Sequence, residues 1–344
     1  MKRQVPWLVF AALSACADDT RVLESEPSDA SFLVGLRTVG DFGASTEGVH
    51  GTLIPRAIFD QIEPLTRVDE PDDIYANLDV VAVRLDPCFF EGTGEPVCSS
   101  QVRLVLQPVF DGDDGVVSRD ATLHAFYAVP TDELVSLLDQ LVEIRQAASG
   151  GASVGEHADP QSAAEAVLPY VGADRLTRTT FVAVHASNQA WTFGGLDFVD
   201  GSSIEIEPPG TEDHEQHLTS TGGMDTLDAS ILPAPTIEPA LNGYLEEALR
   251  LNLGEVATSD AMDALSRLMS PTDHNPGTVD CASCHMATPA LHFAASSGAF
   301  EPPPDAYANS QNQRMLGYFD ATPSISPRVV AETDVVVDFF HSNL

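Results

Sequence analysis

The feature that most constrains the fold of this chain is a five-residue motif in its last quarter, Cys281-Ala282-Ser283-Cys284-His285. Two thiols stand three residues apart, and an imidazole follows the second thiol directly. Thiols at this spacing can each form a thioether to one vinyl group of a porphyrin, and the histidine then lies under the iron as an axial ligand. The motif therefore predicts one covalent haem c, held by Cys281, Cys284 and His285, and a fold that can cover it.

The two cysteines of the motif have other interpretations. A C-x-x-C pair can close a surface disulfide, or it can supply half of a zinc site. A structural zinc site needs two further ligands, preferably from a second paired motif, and the sequence contains no second pair of that kind. The order and spacing of the three side chains favour haem attachment over both alternatives.

The N-terminal segment indicates export. Lys2 and Arg3 precede an apolar stretch at residues 5–13, which is too short to span a bilayer and is typical of a signal peptide. The stretch ends in Leu13-Ser14-Ala15-Cys16, which resembles the lipobox of bacterial lipoproteins. That resemblance implies that residues 1–15 are removed and that Cys16 is acylated, which gives stable anchoring because several acyl chains act together. The alternative is a plain secretory signal in which Cys16 has no role.

The residues after Cys16 bear on the choice of membrane. In Gram-negative lipoproteins, an aspartate directly after the lipidated cysteine tends to hold the protein at the inner membrane. Ala17 occupies that position here, and Asp18 and Asp19 come later, which favours the outer membrane. Haem is attached to C-x-x-C-H motifs outside the cytoplasm in bacteria that use this system, so the motif and the export signal agree. We expect a lipid-anchored protein that faces the periplasm or the cell surface.

The charge balance limits the partners. The chain has 52 acidic residues against 16 lysines and arginines, a formal net charge of −36 at pH 7, and its only lysine is Lys2. Nucleic-acid binding requires basic surface to neutralise phosphate, so no nucleic-acid partner is expected. Anionic lipid would also repel this chain, so membrane attachment is expected to come from the lipid anchor. An acidic surface can steer a basic redox partner protein; solubility or adaptation to a salty habitat is the alternative cause.

Two cysteines remain once Cys16, Cys281 and Cys284 have roles. Cys88 and Cys98 lie ten residues apart in a chain expected in an oxidising compartment. This context predicts a disulfide between them. A copper or redox role is the alternative, but no methionine or histidine cluster accompanies the pair.

The periodicities along the chain predict an α+β fold, with a β-rich, sandwich-like domain followed by a small all-α domain. Residues 16–30 are polar and acidic and are predicted to be a tether. Residues 31–207 form the predicted β-rich domain, and its helix is expected to begin with Thr131 as N-cap. The strand candidates are residues 76–85, 101–110, 121–129, 179–185 and 202–206. Residues 208–237 are rich in proline, glycine and acid and are predicted to be an interdomain linker.

The remainder, residues 238–344, is predicted to be helical. Apolar residues recur at helical spacing in residues 239–251, 259–269 and 328–340, and the C-x-x-C-H motif lies between the second and third of these segments. An upstream helix, the motif, loops and a terminal helix resemble the small all-α cytochrome c fold. That resemblance covers only this last hundred residues or so, and the motif is its one specific element.

The sixth ligand of the iron separates electron transfer from small-molecule chemistry. In cytochrome c domains the distal methionine lies downstream of the motif, ahead of the last helix. Met315 lies there, thirty residues after His285, and that length of chain can reach the distal face. Met286 and His292 are too close to His285 along the chain to cross to that face. The alternatives to Met315 are His274, His341 and an open five-coordinate iron.

The remaining histidines have ordinary explanations. His214 and His217 are spaced i, i+3 among acidic residues and could bind a divalent metal, but a solvated acidic loop is favoured there. His124 and His185 lie in strand candidates and are expected to be core or sheet-face residues. The sequence shows no glycine-rich phosphate loop, nucleophile elbow or zinc-protease motif.

These features predict a membrane-anchored monohaem c-type cytochrome that transfers single electrons. A different hypothesis is a haem enzyme of the peroxidase kind, or a sensor, with an open distal site. The familiar dihaem peroxidases carry two C-x-x-C-H motifs, whereas this chain has one. A third hypothesis is a surface binding lipoprotein in which the haem is structural and the β-rich domain carries the function.

Overall fold

One large sheet organises the chain. This computed structural model describes residues 24–37, 42–66, 73–91, 97–113, 115–119, 121–148, 155–185, 190–199, 201–211, 213–220, 229–232, 263–264, 266–268, 270–285 and 326–343. The strands are β1 (Ser31–Leu33), β2 (Glu47–Gly48), β3 (Gly51–Thr52), β4 (Leu78–Glu91), β5 (Val97–Gly112), β6 (Gly115–Ser118), β7 (Ala121–Ala128), β8 (Gly155–Glu156), β9 (Leu176–His185), β10 (Ala190–Val199), β11 (Ser202–Glu205), β12 (Gln216–Ser220) and β13 (Ala229–Leu232).

Helices occupy less of the chain than strands. They are α1 (Pro27–Ala30), α2 (Arg56–Phe59), α3 (Glu63–Thr66), α4 (Thr131–Ala147), α5 (Pro160–Val167) and α6 (Pro327–Asn343). Residues 263–264, 266–268 and 281–285 are also helical. Within the part of the chain that the structure describes, no helix is both long enough and apolar enough to cross a membrane.

Nine strands follow one another across the main sheet in the order β13-β12-β10-β9-β7-β5-β4-β1-β8, while β11 pairs with β10 and β6 pairs with β5. The neighbours are antiparallel except for β1 and β8, which are parallel. Strands β2 and β3 form a separate two-stranded sheet. The structure is therefore a mixed α+β fold built on a large antiparallel sheet.

One side of the sheet, the first face, carries the main hydrophobic core. Because side chains alternate along a strand, Leu104 of β5, Leu123 of β7 and Phe181 of β9 all join this core. Helix α4 adds a stripe at helical spacing, and each fully buried leucine in it contributes about 1.5–3 kcal/mol. The stripe consists of Leu134, Leu137, Leu138 and Leu141.

The opposite side, the second face, is more polar. Directly opposed residues of neighbouring strands share a face, so the strand register defines three rows of side chains there. The first row is Arg84, Arg103, Phe126, Arg178 and Asp197. The second row is Ala82, Val105, His124, Thr180 and Gly195. The third row is Thr122, Val182, Phe193 and Gln216.

Several predicted elements are confirmed, with small shifts at their ends. Strands β4, β5, β7, β9 and β11 cover the five strand candidates. Helix α4 is present, but its N-cap is Pro130. Thr131, which was predicted as the N-cap, is the first helical residue. The Thr131 hydroxyl instead lies 2.8 Å from the Ser100 hydroxyl.

Three sequence predictions differ from the structure. The eleven described strands of the core belong to one sheet, and not to the two sheets of a sandwich. Residues 208–237, predicted as a linker, contribute β12 and β13, because β10 offers β12 an edge to pair with. The predicted tether ends in packed structure: Asp29 of α1 is fully buried, and its Oδ1 accepts a 2.8 Å hydrogen bond from Nε of Arg145.

Candidate haem-attachment site

Residues 281–285 form one helical turn, here called the motif turn. Asp280 caps it: its Oδ1 accepts a hydrogen bond from the backbone N–H of Ser283 at 2.9 Å, and its carbonyl accepts one from Cys284 at 3.1 Å. Such caps stabilise a helix start by about 1 kcal/mol. Because positions i, i+3 and i+4 share one side of a helix, Cys281, Cys284 and His285 lie on the same side of the motif turn.

A single glutamine of the sheet holds the motif turn. Gln216, the first residue of β12, donates from Nε2 to Oδ1 of Asp280 at 2.6 Å. Its Oε1 accepts the backbone N–H of Ala282 at 2.9 Å. Gln216, Asp280 and Ala282 are all fully buried. Buried hydrogen bonds of this kind are costly to break, since each orphaned group loses its partner without regaining water.

The motif turn lies over the second face of the sheet. The ring of His285 packs against Phe193 of β10, with 5.5 Å between the ring centroids. The positive charge of Arg178 acts on Cys281, and that of Arg103 acts on Cys284. Both arginines belong to the first row of the second face. The sheet and the C-terminal segment therefore form one continuous environment around the three attachment side chains.

The chemistry of the donors fits haem attachment. Cys281 and Cys284 are free thiols. Burial raises the pKa of Cys281 to about 12, and the negative charge of Asp280 contributes. Burial also raises the pKa of Cys284. A structural zinc site needs four ligands, and no group of three or more metal-binding side chains occurs among the described residues.

Arg84, Arg103 and Arg328 form an arginine cluster around one cavity, and the charges of Arg103 and Arg328 act on Cys284. Arg328 of α6 donates from Nη1 to the Leu268 carbonyl at 2.6 Å and from Nη2 to the His274 carbonyl at 2.8 Å. Those bonds tie α6 to the segment that leads into the motif turn. The three arginines, Glu332 and Asp86 line a cavity of about 80 Å³.

Glu332 of α6 is the central acid of this cluster. Its Oε1 accepts from Nε of Arg328 at 2.9 Å, and its Oε2 accepts from Nη2 of Arg84. Burial raises the pKa of Asp86 to about 6, although the charge of Arg103 opposes that rise. Among the described residues that line this cavity, three arginines therefore face two carboxyl groups.

The structure describes four of the other candidate ligand residues, all of them histidines. His274 is buried, and its carbonyl is held by Arg328. His341 is exposed near the end of α6, with its Nε2 3.1 Å from Oγ of Ser25. His214 and His217 are exposed beside Glu205 and Glu215, at 3.8 Å each. Cys16, Met286, His292 and Met315 lie outside the described residues.

The structure supports the predicted disulfide for one of its two cysteines. Cys88 is disulfide-bonded. The β4–β5 register places Cys98 across the hairpin, opposite Phe90. The pairing of Cys88 with Cys98 stays a prediction.

Sequence reasoning missed the residues that hold the motif turn. Asp280 with Ser283 three positions later is a recognisable N-cap pattern, and it could have been read from the sequence. Gln216 and Glu332 gave no such signal, because their partners are distant along the chain.

The chain matches no protein-family model, no curated protein and no solved structure, so its function has to be inferred from the motif turn and its contacts.

Proposed function

We propose that this protein is a membrane-anchored c-type cytochrome that carries one covalent haem and transfers single electrons outside the cytoplasm. The observation that carries the proposal is the motif turn, which presents Cys281, Cys284 and His285 on one side of a capped helix. The two thiols would hold the porphyrin and the imidazole would bind the iron. Such a haem supplies one-electron chemistry at a potential set by its ligands and surroundings.

The contacts of the motif turn support this role. Asp280 and Gln216 fix the backbone of the turn, and Phe193 limits the movement of the His285 ring. An axial ligand that is held in place by its surroundings keeps the same position in both oxidation states. That rigidity favours electron transfer over reactions that need a ligand to leave.

The arginine cluster supports a haem in another way. Haem carries two propionate groups, and arginine recognises carboxylates through paired N–H donors. Arg103 and Arg328 bring positive charge to the side of Cys284, and Arg84 lines the same cavity as both of them, in a chain whose formal net charge is −36 at pH 7. A carboxylate ligand is the natural complement of that charge.

The wider architecture is part of the proposal. Residues 238–344 would form a cytochrome c-like all-α unit around the haem, and the sheet of residues 31–207 would support it through the second face. Cys16 would carry the lipid that anchors the chain, most simply at the outer membrane. The acidic surface would favour a basic redox partner. Loss of acyl labelling in Cys16→Ala would test the anchor.

Haem attachment is tested with the full mature chain expressed together with a haem c maturation system. The wild type and Ser283→Ala should carry one haem that survives denaturation, seen as added mass in mass spectrometry. The double variant Cys281→Ala/Cys284→Ala should carry none. Ser283 is the matched control because it lies in the same turn and is not an attachment residue. A wild type without covalent haem, or a double variant that keeps it, would overturn the proposal.

Electron transfer is tested with absorption spectra of the oxidised and reduced protein, with and without carbon monoxide. A filled sixth position gives a low-spin spectrum that carbon monoxide does not change. A high-spin spectrum that shifts with carbon monoxide would show an open iron. That result would replace electron transfer by the enzyme or sensor hypothesis.

A further inference from the structure

His124 lies at the centre of the second face. It comes from β7, between Val105 of β5 and Thr180 of β9. Its Nε2 is buried and has no hydrogen-bond partner in the part of the chain that the structure describes. Buried polar atoms are nearly always satisfied, and an exception calls for an explanation such as a bound ion or group.

The surroundings of His124 keep its imidazole neutral. Burial holds the pKa of His124 well below its ordinary value of 6.5, and the positive charges of Arg103 and His285 lower it further. The charged groups that act on the ring come from β5, the motif turn, β4 and α6, since Arg84 also lowers the pKa and Glu332 raises it. A neutral imidazole keeps a lone pair, and that is the form that binds iron.

His124 and His285 also lie on the same side of the sheet: His285 packs against Phe193 of β10, and only β9 separates β10 from β7, which carries His124. They come from different parts of the chain, one from the floor of the second face and one from the motif turn above it. Two imidazoles from opposing surfaces are the arrangement that a six-coordinate, bis-histidine haem requires.

We propose that His124 is the second axial ligand of the haem held by Cys281, Cys284 and His285, which makes the iron bis-histidine. This inference rests on the proposed function. It takes the sixth position from Met315 and His274, and it gives the unsatisfied Nε2 a partner. Because methionine ligation raises the potential of haem iron, a bis-histidine site would work at a lower potential than a histidine–methionine site.

The rival histidines have other surroundings. The His341 ring is exposed and lies by Ser25. His274 belongs to the segment that Arg328 anchors to α6.

The test compares the haem-loaded wild type with variants of the full mature chain. His124→Ala should convert the low-spin ferric spectrum to a high-spin one and should let the reduced protein bind carbon monoxide, and added imidazole should restore the low-spin form. His124→Met should create the far-red absorption band of methionine-ligated ferric haem and raise the reduction potential. His217→Ala, an exposed histidine on β12, is the matched control and should leave the spectrum unchanged. Met315→Leu and His274→Ala test the rival ligands.

The outcomes separate this inference from the proposed function. Covalent haem with an unchanged low-spin spectrum in His124→Ala would overturn the inference and leave the cytochrome intact. A wild type without covalent haem would overturn both. If His124→Ala does not fold, the wild type still decides: a far-red methionine band that Met315→Leu abolishes would overturn the inference. Electron paramagnetic resonance typical of two imidazoles, unchanged in both rival variants, would support it.

Discussion

Replacing Glu332 with glutamine tests the electrostatic link between α6 and the sheet. The Glu332 carboxylate accepts from Arg328 of the same helix and from Arg84 of β4, and its side chain is 21 % exposed. Burial alone would raise the pKa of this group. The charges of Arg84, Arg328 and Arg103 overcome that effect and lower the pKa from its ordinary 4.5 to about 2.

The size of the effect follows from linkage. A carboxyl group whose pKa is lower in the folded state than in the unfolded state stabilises the fold above its unfolded pKa, and loses that contribution as the pH falls through its folded pKa. At about 1.4 kcal/mol per pKa unit, the change from 4.5 to about 2 corresponds to about 3 kcal/mol at pH 7. By about pH 3.5 the contribution should have fallen to about 2 kcal/mol.

Glu332→Gln keeps the shape of the side chain and removes its charge. We expect the free energy of unfolding to fall by about 3 kcal/mol at pH 7, and the difference from the wild type to narrow to about 2 kcal/mol near pH 3.5. Urea unfolding measures both values, followed by the fluorescence of Trp191, which is the only tryptophan after the signal segment. Taking the difference between the two proteins cancels the titration of other acids.

Asp334→Asn is the matched control, because Asp334 is exposed two positions further along α6. It should change the free energy of unfolding by less than about 0.5 kcal/mol. A Glu332→Gln effect below about 1 kcal/mol at pH 7 would refute the reasoning. So would a difference that stays the same from pH 7 to pH 3.5, because it would then reflect packing and not charge.

Three further changes follow from buried contacts. Gln216→Leu breaks the link between β12 and the motif turn and should lower the free energy of unfolding by about 1–3 kcal/mol, with Asp280→Asn as a milder comparison; an unchanged urea midpoint would contradict this role. Cys88→Ser and Cys98→Ser should each lower the free energy of unfolding by about 3 kcal/mol, because each change removes a disulfide that closes a short loop in the unfolded chain; unequal losses would show that the two cysteines do not pair. Arg145→Met removes the side chain that donates to both carboxylate oxygens of the buried Asp29 and should lower the free energy of unfolding by about 3–5 kcal/mol in thermal or urea unfolding; a loss under about 1 kcal/mol would contradict this role.

Local patterns predicted much of the sheet. Val102, Leu104 and Leu106 alternate with polar neighbours, and this spacing predicts a strand with one apolar face. In β5 the three side chains do lie in the core. The start of α4 was predicted within one position because acids cluster in its first turn. His124 was expected on a sheet face, and it lies there.

The features that the sequence analysis did not predict depend on contacts between residues that are far apart along the chain. Residues 208–237 are rich in proline, glycine and acid, and this composition favours a linker. In the structure, β12 pairs with the edge of β10, and Gln216 of β12 bonds to the buried Asp280, 64 residues away. Arg84 and Glu332 are 248 residues apart, and no spacing rule connects them. The motif predicts which side chains would hold a haem. It does not predict that they lie over the second face of the sheet, where His285 packs against Phe193.

The inward-facing arginines have a consequence for the outside of the molecule. The chain has only 16 lysines and arginines, and among them Arg84 and Arg328 are buried while the Arg145 side chain is 13 % exposed. Cations committed to the interior cannot offset the acids at the surface. Two copies that approach each other therefore repel, over a distance of about 8 Å at physiological ionic strength and further at lower salt. If many copies share one membrane, ionic strength will help to set how closely they can crowd.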